Sequence, residues 1–153
     1  MPIPGAVILP HPPVILPAVG CGRERESRAT ATACRAAAKQ AAAWAPEALV
    51  IASPHTVLYS DYFHISPGQG ASGGMSAFGA PQVRLEAAYD TKLRQELIRQ
   101  AEAAGIRAGT LGERDPALDH GTLLPLFFLR EAGVDCPILR VGLSGFSPLE
   151  HYR

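Results

Sequence analysis

The chain has 153 residues, no net charge with histidine neutral, 47% hydrophobic residues and 18% charged ones. It is long enough for one domain with a real core and too apolar for disorder, and no block of like charges marks a nucleic-acid or anionic-membrane surface. No run of eighteen apolar residues occurs and no basic segment precedes an apolar one at the N-terminus, so neither a transmembrane helix nor a secretory signal is expected. The three cysteines, Cys21, Cys34 and Cys136, are widely spaced and odd in number. They fit free thiols in a reducing cytoplasm, with Cys21 and Cys34 read as structural.

Taken in order, residues 6–10 read as a short apolar strand that stops at Pro10-His11-Pro12-Pro13. Proline cannot extend a ladder, and here it stiffens the backbone around His11. Gly20-Cys21-Gly22 marks a turn, and a helix is expected from about Arg23 to Trp44, ended by Pro46. Ala29, Ala33, Cys34, Ala36, Ala37 and Ala41 can form its packing face. The stretch Leu49-Val-Ile-Ala-Ser53 reads as a strand buried on both faces, ending at Pro54-His55. Strand, helix and strand make a βαβ unit with parallel strands. Both strands then end on one edge of the sheet, where ligands sit in open α/β folds, and His11 and His55 become a pair.

Thr56–Ser66 reads as a short helical turn and then a strand, with His64 a packed or surface histidine. The Gly/Ser-rich stretch 67–79 lacks the pattern of a phosphate-binding loop and reads as a mobile surface loop. Residues 83–87 suit an edge strand. A helix is expected from Asp90 or Thr91 to Ala104, closed by Gly105, with Leu93, Leu97, Ile98 and Ala101 as its apolar stripe. Leu118-Asp119-His120-Gly121 precedes a buried helix with Pro125 in its first turn, which puts His120 near a helix N-terminus. Residues 137–144 form a last buried strand. The frame is therefore an α/β three-layer sandwich, with a largely parallel or mixed central sheet flanked by helices, in a single domain over residues 1–153.

His11, His55 and His120 are the candidate site. Two neutral imidazoles at adjacent strand ends suit a transition metal. They equally suit hydrogen-bonded loop histidines. Asp61, Glu113, Asp115 and Asp119 are candidates for a third ligand, and each also reads as a cap, turn or ion-pair residue. A Ser53–His120–Asp119 hydrolase can be drawn, but Ser53 is in no GxSxG elbow, and Asp119 is a poor orienting partner for its own neighbour.

Pro10-His11-Pro-Pro, Ser53-Pro-His55 and above all Leu118-Asp-His-Gly-Thr-Leu-Leu-Pro-Leu126 resemble the class III extradiol ring-cleavage dioxygenases. These are proteins similar to the catalytic β subunit of protocatechuate 4,5-dioxygenase and to DOPA dioxygenases. The chain more closely resembles the subgroup found beside, or fused to, AMMECR1-like domains, with the Memo proteins as more distant relatives. The resemblance implies that His11 and His55 are metal ligands, and that His120 is an active-site histidine hydrogen-bonding to substrate or oxygen. It implies Fe(II) as cofactor (zinc or another divalent metal as isolated) and a catecholic substrate with O2. Family domains are longer, and their Glu ligand and acid–base His lie in the C-terminal part. The resemblance thus implies an N-terminal portion with two of three ligands. A sheet ending after 137–144 would leave an open edge, so a homo-oligomer is expected. The alternative is a non-catalytic metal-binding or scaffold domain of the same fold.

Overall fold

The computed structural model describes residues 3–147 and Leu149. A 3-10 turn at Pro13–Ile15 leads into the one-turn helix α1 (Pro17–Gly20), a second 3-10 turn (Arg23–Ser27) and helix α2 (Arg28–Ala43). Then come strands β1 (Leu49–Ser53), β2 (Phe63–His64), β3 (Gly70–Met75) and β4 (Ala80–Ala88), and helix α3 (Thr91–Ala103). Strand β5 (Ala108–Gly109), helix α4 (His120–Glu131) and strand β6 (Ile138–Gly142) complete the order.

β6 is the rail on which the strands meet. It pairs in parallel with β1, Leu49 opposite Ile138 and Ser53 opposite Gly142. Beyond the ladders, Ile65 bridges Val141 antiparallel and Tyr89 bridges Ile138 in parallel. Ser66 N–H donates to the Arg140 carbonyl and Asp90 N–H to that of Ile138. The ends of β2 and β4 thus meet β6, while β2 pairs in parallel with β5 and β3 antiparallel with β4. Helix α4 packs against β1 and β3 and is backed by α2. The mixture of parallel and antiparallel strands with these helices is consistent with a three-layer α/β fold.

Composition explains the packing. α4 buries Leu123, Leu124, Leu126, Phe128 and Leu129, too many to fit one stripe, as a helix enclosed on most sides must. α2 presents only Ala31, Cys34, Ala38 and Ala41. These small side chains let its backbone come close to α4. Cys34 is a core thiol whose pKa is raised by burial, whereas Cys21 is exposed; all three cysteines are unpaired. Asp90 caps α3, its carboxylate accepting from Leu93 N–H at 2.9 Å. No helix among the described residues is long and apolar enough to cross a membrane.

Several expectations are corrected. Residues 6–10 are not a strand: they have no ladder partners, and Ile8 is 98% exposed. Pro4 and Pro10 withhold donors, and β1 takes β6 as its parallel partner, so no βαβ unit forms at the N-terminus. The packing face of α2 is the expected one only in part: Cys34 and Ala41 are buried, but Ala29, Ala33 and Ala36 are exposed and Ala31 and Ala38 take their place, because a run of alanines carries no phase signal. Residues 54–62 form turns and bends rather than a helical turn. Pro125 lies in the sixth position of α4, not its first turn, since the helix starts at His120.

The Gly/Ser-rich stretch is not a loop throughout: it contains strand β3 and the 3-10 turn Ser76–Phe78. Its glycines serve close approach: a Cβ on Gly73 would collide with the Leu118 carbonyl oxygen, and Leu118 N–H donates to the Ser72 carbonyl at 3.0 Å. The segment leading into α4 is thereby docked edge-on against β3. Gly73→Ala is expected to cost about 1–3 kcal/mol, as overpacking does, read from denaturant midpoints. An unchanged midpoint would contradict this close fit.

His64 is buried, with Nε2 lacking a hydrogen-bond partner. Burial pushes its pKa down, Glu113 opposes this and Arg140 adds to it. The folded protein therefore keeps His64 neutral, while the unfolded chain takes up a proton below about pH 6.5. Stability should fall as pH drops through that range, and His64→Asn should flatten the loss between pH 7.5 and 5.5. A variant as acid-sensitive as the parent would refute the assignment.

Candidate metal centre

The three histidines sit at three separate points of the chain that the fold brings together. His11 follows the N-terminal stretch, between Pro10 and the 3-10 turn of Pro13–Ile15. That turn is closed by Ile15 N–H to the Pro12 carbonyl and anchored by buried Ile15 and Leu16. His55 follows β1 in a tight turn: its N–H donates to Ser53 Oγ, and Thr56 Oγ1 donates to the Ser53 carbonyl. His120 is the first residue of α4.

Their ligand atoms all lie within 4.8 Å of one another. Nε2 of His11 is 3.0 Å from Nε2 of His55. The rings of His55 and His120 stack with centroids 4.0 Å apart and planes 33° from parallel, and those of His11 and His120 are 5.8 Å apart. His11 and His120 are half-buried and His55 is exposed, so the cluster opens to solvent. Burial lowers the His120 pKa, His55 and His11 lower it further, and Asp119 opposes them. Three imidazoles with nitrogen lone pairs to offer are a donor set for a transition-metal ion. Two nitrogens bound at right angles, each about 2.0–2.1 Å from one ion, would stand about 2.9 Å apart, which the His11–His55 spacing matches. Without an ion the same spacing suits an N–H···N hydrogen bond.

Behind the histidines lies one carboxylate. Asp119 caps α4, Oδ1 accepting from Thr122 N–H at 3.1 Å and Oδ2 from the Thr122 hydroxyl at 2.8 Å. Ser53 Oγ donates to Oδ1 at 2.5 Å, and Arg140 Nη2 lies 3.3 Å from Oδ2. The Asp119 and Arg140 side chains are only 11% and 3% exposed. Burial alone would raise the Asp119 pKa, but hydrogen bonds from Ser53 and Thr122, with the Arg140 charge, outweigh it and hold the carboxyl below its usual range. Gly121 lets this assembly close: a Cβ there would stand 2.5 Å from Ser53 Oγ and 2.9 Å from His55 Cδ2.

Asp119 is therefore not a ligand. Asp61 pairs with Arg107 and Asp115 accepts from Ala117 N–H. Among the described residues, the converging group is His11, His55 and His120, with no carboxylate in it. The Ser53 hydroxyl is buried and spent directly on Asp119 with no imidazole between them, which removes the hydrolase arrangement. Arg140, Thr122, Gly121 and Phe78, whose ring is 5.2 Å from that of His120, were not anticipated as parts of the site. A lone arginine in the apolar strand Ile138-Leu-Arg-Val was the available signal for the first, since a charge there needs a buried partner.

The two members of the ion pair are not equivalent. Losing Asp119 strands a buried guanidinium whose Nε and Nη1 already lack partners and also uncaps α4. Losing Arg140 leaves Asp119 with three hydrogen bonds. Asp119→Ala is expected to cost about 3–5 kcal/mol, and Arg140→Met distinctly less. Equal costs in chemical denaturation would overturn this ranking.

Residues 5–153 match the family described as the catalytic LigB subunit of aromatic ring-opening dioxygenase. The chain is also 29% identical, over 169 aligned positions, to Protein CA_C1420 of Clostridium acetobutylicum. The alignment takes in 100% of this chain and 34% of that protein, so the chain spans about a third of its relative's length. With the family match covering nearly every residue, and the histidine cluster and the Asp119-His120-Gly121 turn inside it, the chain belongs to the LigB family of aromatic ring-opening dioxygenase catalytic subunits.

Proposed function

We propose that this chain carries the metal-binding histidines of an extradiol ring-cleavage dioxygenase acting on a catecholic substrate and O2. The convergence of three imidazoles within 4.8 Å, in a chain of this family, carries the reading. His11 and His55 are the metal ligands in this proposal, with Fe(II) the ion that suits ring opening by O2. A divalent ion held there would act as a Lewis acid, lowering the catechol hydroxyl pKa and bringing both reactants together.

The remaining chemistry falls to the protein. His120 stacks on His55 and starts α4, so it stands beside the reacting ring without having to be a ligand. There it hydrogen-bonds to a catechol hydroxyl or to oxygen through a ring nitrogen. Asp119 fixes its backbone through the cap, and Ser53 fixes His55 through the same carboxylate. The proline-bounded turn holds His11 in place.

A second reading, a non-catalytic metal-binding or scaffold domain, is favoured by the absence of a carboxylate from the cluster among the described residues. Anaerobic Fe(II) loading separates the readings. One iron per chain is expected, lost in His11→Ala and in His55→Ala, with His120→Ala keeping iron but losing O2 consumption with catechols. Ligand saturation at a hundredfold excess over Kd should add about 2.7 kcal/mol of stability, which a chelator removes. Iron without O2 uptake in the parent chain would select the non-catalytic reading, and iron unchanged by both ligand substitutions would refute the metal centre.

A further inference from the structure

One aromatic ring at the site is not accounted for by the histidine cluster. Phe78 belongs to the 3-10 turn Ser76–Phe78, which joins β3 to β4 and is closed by Gly79 in a left-handed conformation (φ 78°). Its ring lies 5.2 Å from that of His120, edge-on at 69°. The side chain is nevertheless 40% exposed. The turn is anchored on both sides: Met75 and Ala80 are paired partners and almost completely buried. Between them Ser76, Ala77 and Gly79 are small, so Phe78 is the one bulky group at the tip.

Single exposed apolar residues are ordinary on protein surfaces. Phe78 differs in its neighbours. It continues a succession of ring contacts, His55 on His120 and His120 against Phe78, and both ends of that succession, His55 and Phe78, are exposed to solvent. A ring in this place does two separable things. It packs the non-ligand imidazole, and it offers an aromatic surface to whatever enters beside that imidazole. Ring pairs prefer offset or edge-on contact driven by their quadrupoles, a preference that an aliphatic side chain of similar bulk does not reproduce.

We propose that Phe78 is a specificity-determining wall of the ligand site, selecting flat aromatic ligands over non-aromatic chelators of the same metal. This rests on the metal-centre reading above, and the contact with substrate is through the Phe78 ring, not through the ion. Truncation should weaken an aromatic ligand by about 2- to 12-fold, the scale of one aromatic pair. The binding of a non-aromatic chelator should be unaffected.

The test uses the whole chain, loaded anaerobically with Fe(II), titrated with 4-nitrocatechol by its absorption and with oxalate by calorimetry. Phe78→Ala, Phe78→Leu and Phe78→Trp are compared after metal content and melting temperature have been measured. The expected result is one iron in every protein, 4-nitrocatechol weakened in the Ala and Leu variants and restored in the Trp variant, and oxalate within twofold throughout. An unchanged 4-nitrocatechol affinity in both Ala and Leu variants would overturn the inference. So would a parallel loss of both ligands, which would make Phe78 a packing residue for His120. A parent chain that takes no iron would remove the metal-centre reading and this inference with it. That failure is read from the parent's metal content, before any Phe78 variant is measured.

Discussion

The Asp119 carboxylate is the constraint on which the site depends. Its two oxygens receive the Ser53 hydroxyl at the end of β1, the Thr122 amide and hydroxyl at the start of α4, and the Arg140 guanidinium on β6. Three elements distant in sequence are thereby fixed at one point. The two site histidines that flank this point, His55 two residues after Ser53 and His120 next to Asp119, inherit their relative position from it. A buried carboxylate is costly to desolvate, and it is tolerated here because each oxygen is occupied and a buried cation faces it. The positions of His55 and His120 are thus set from behind, and the ligand atoms of all three imidazoles converge within 4.8 Å of one another.

Close backbone approach is the second condition. The carboxylate can reach Ser53 only if α4 begins almost in contact with β1, and Gly121 is the residue that allows it. The segment entering α4 must also lie flat on β3, which Gly73 allows. A stretch that looks like a flexible Gly/Ser-rich loop is therefore in part a strand with its side chains removed so that another segment can lie against it. Gly73 and Gly121 record contacts rather than mobility.

This explains what could and could not be read from residue order. The helices α3 and α4, the strands β1 and β6 and the three histidines were legible because each is signalled locally, by an Asp cap, an unbroken apolar run, or a histidine at the end of one. β1 is nevertheless buried on one face only and not on both as its apolar run implied, Val50 being 63% exposed. The N-terminal strand was not, since an apolar run between prolines does not reveal that no ladder partner is available. The alanines of α2 gave a helix without a face. The Asp119–Arg140 pair joins positions 21 residues apart on different elements, and nothing in either local sequence names the other. The pairing of His11 with His55 was expected through a βαβ unit that does not form. The histidines meet all the same, because proline rigidity and the buried Ile15 and Leu16 place His11 without any help from a ladder.

That last difference bears on how the site would behave. His55 and His120 are tied to one carboxylate on regular elements and should keep their spacing. His11 is placed by the turn that follows it, with Ile15 and Leu16 buried, but the segment before it has no ladder, and its Nε2 lies 3.0 Å from that of His55. Two imidazole nitrogens this close are held either by a shared proton or by a shared ion, and only the ion adds coordination bonds to both. An ion bound by His11 and His55 would therefore do for the N-terminal segment what Asp119 does for β1 and α4. It would supply the tie that the missing ladder does not, so that binding the metal and fixing the N-terminal wall of the site become one event.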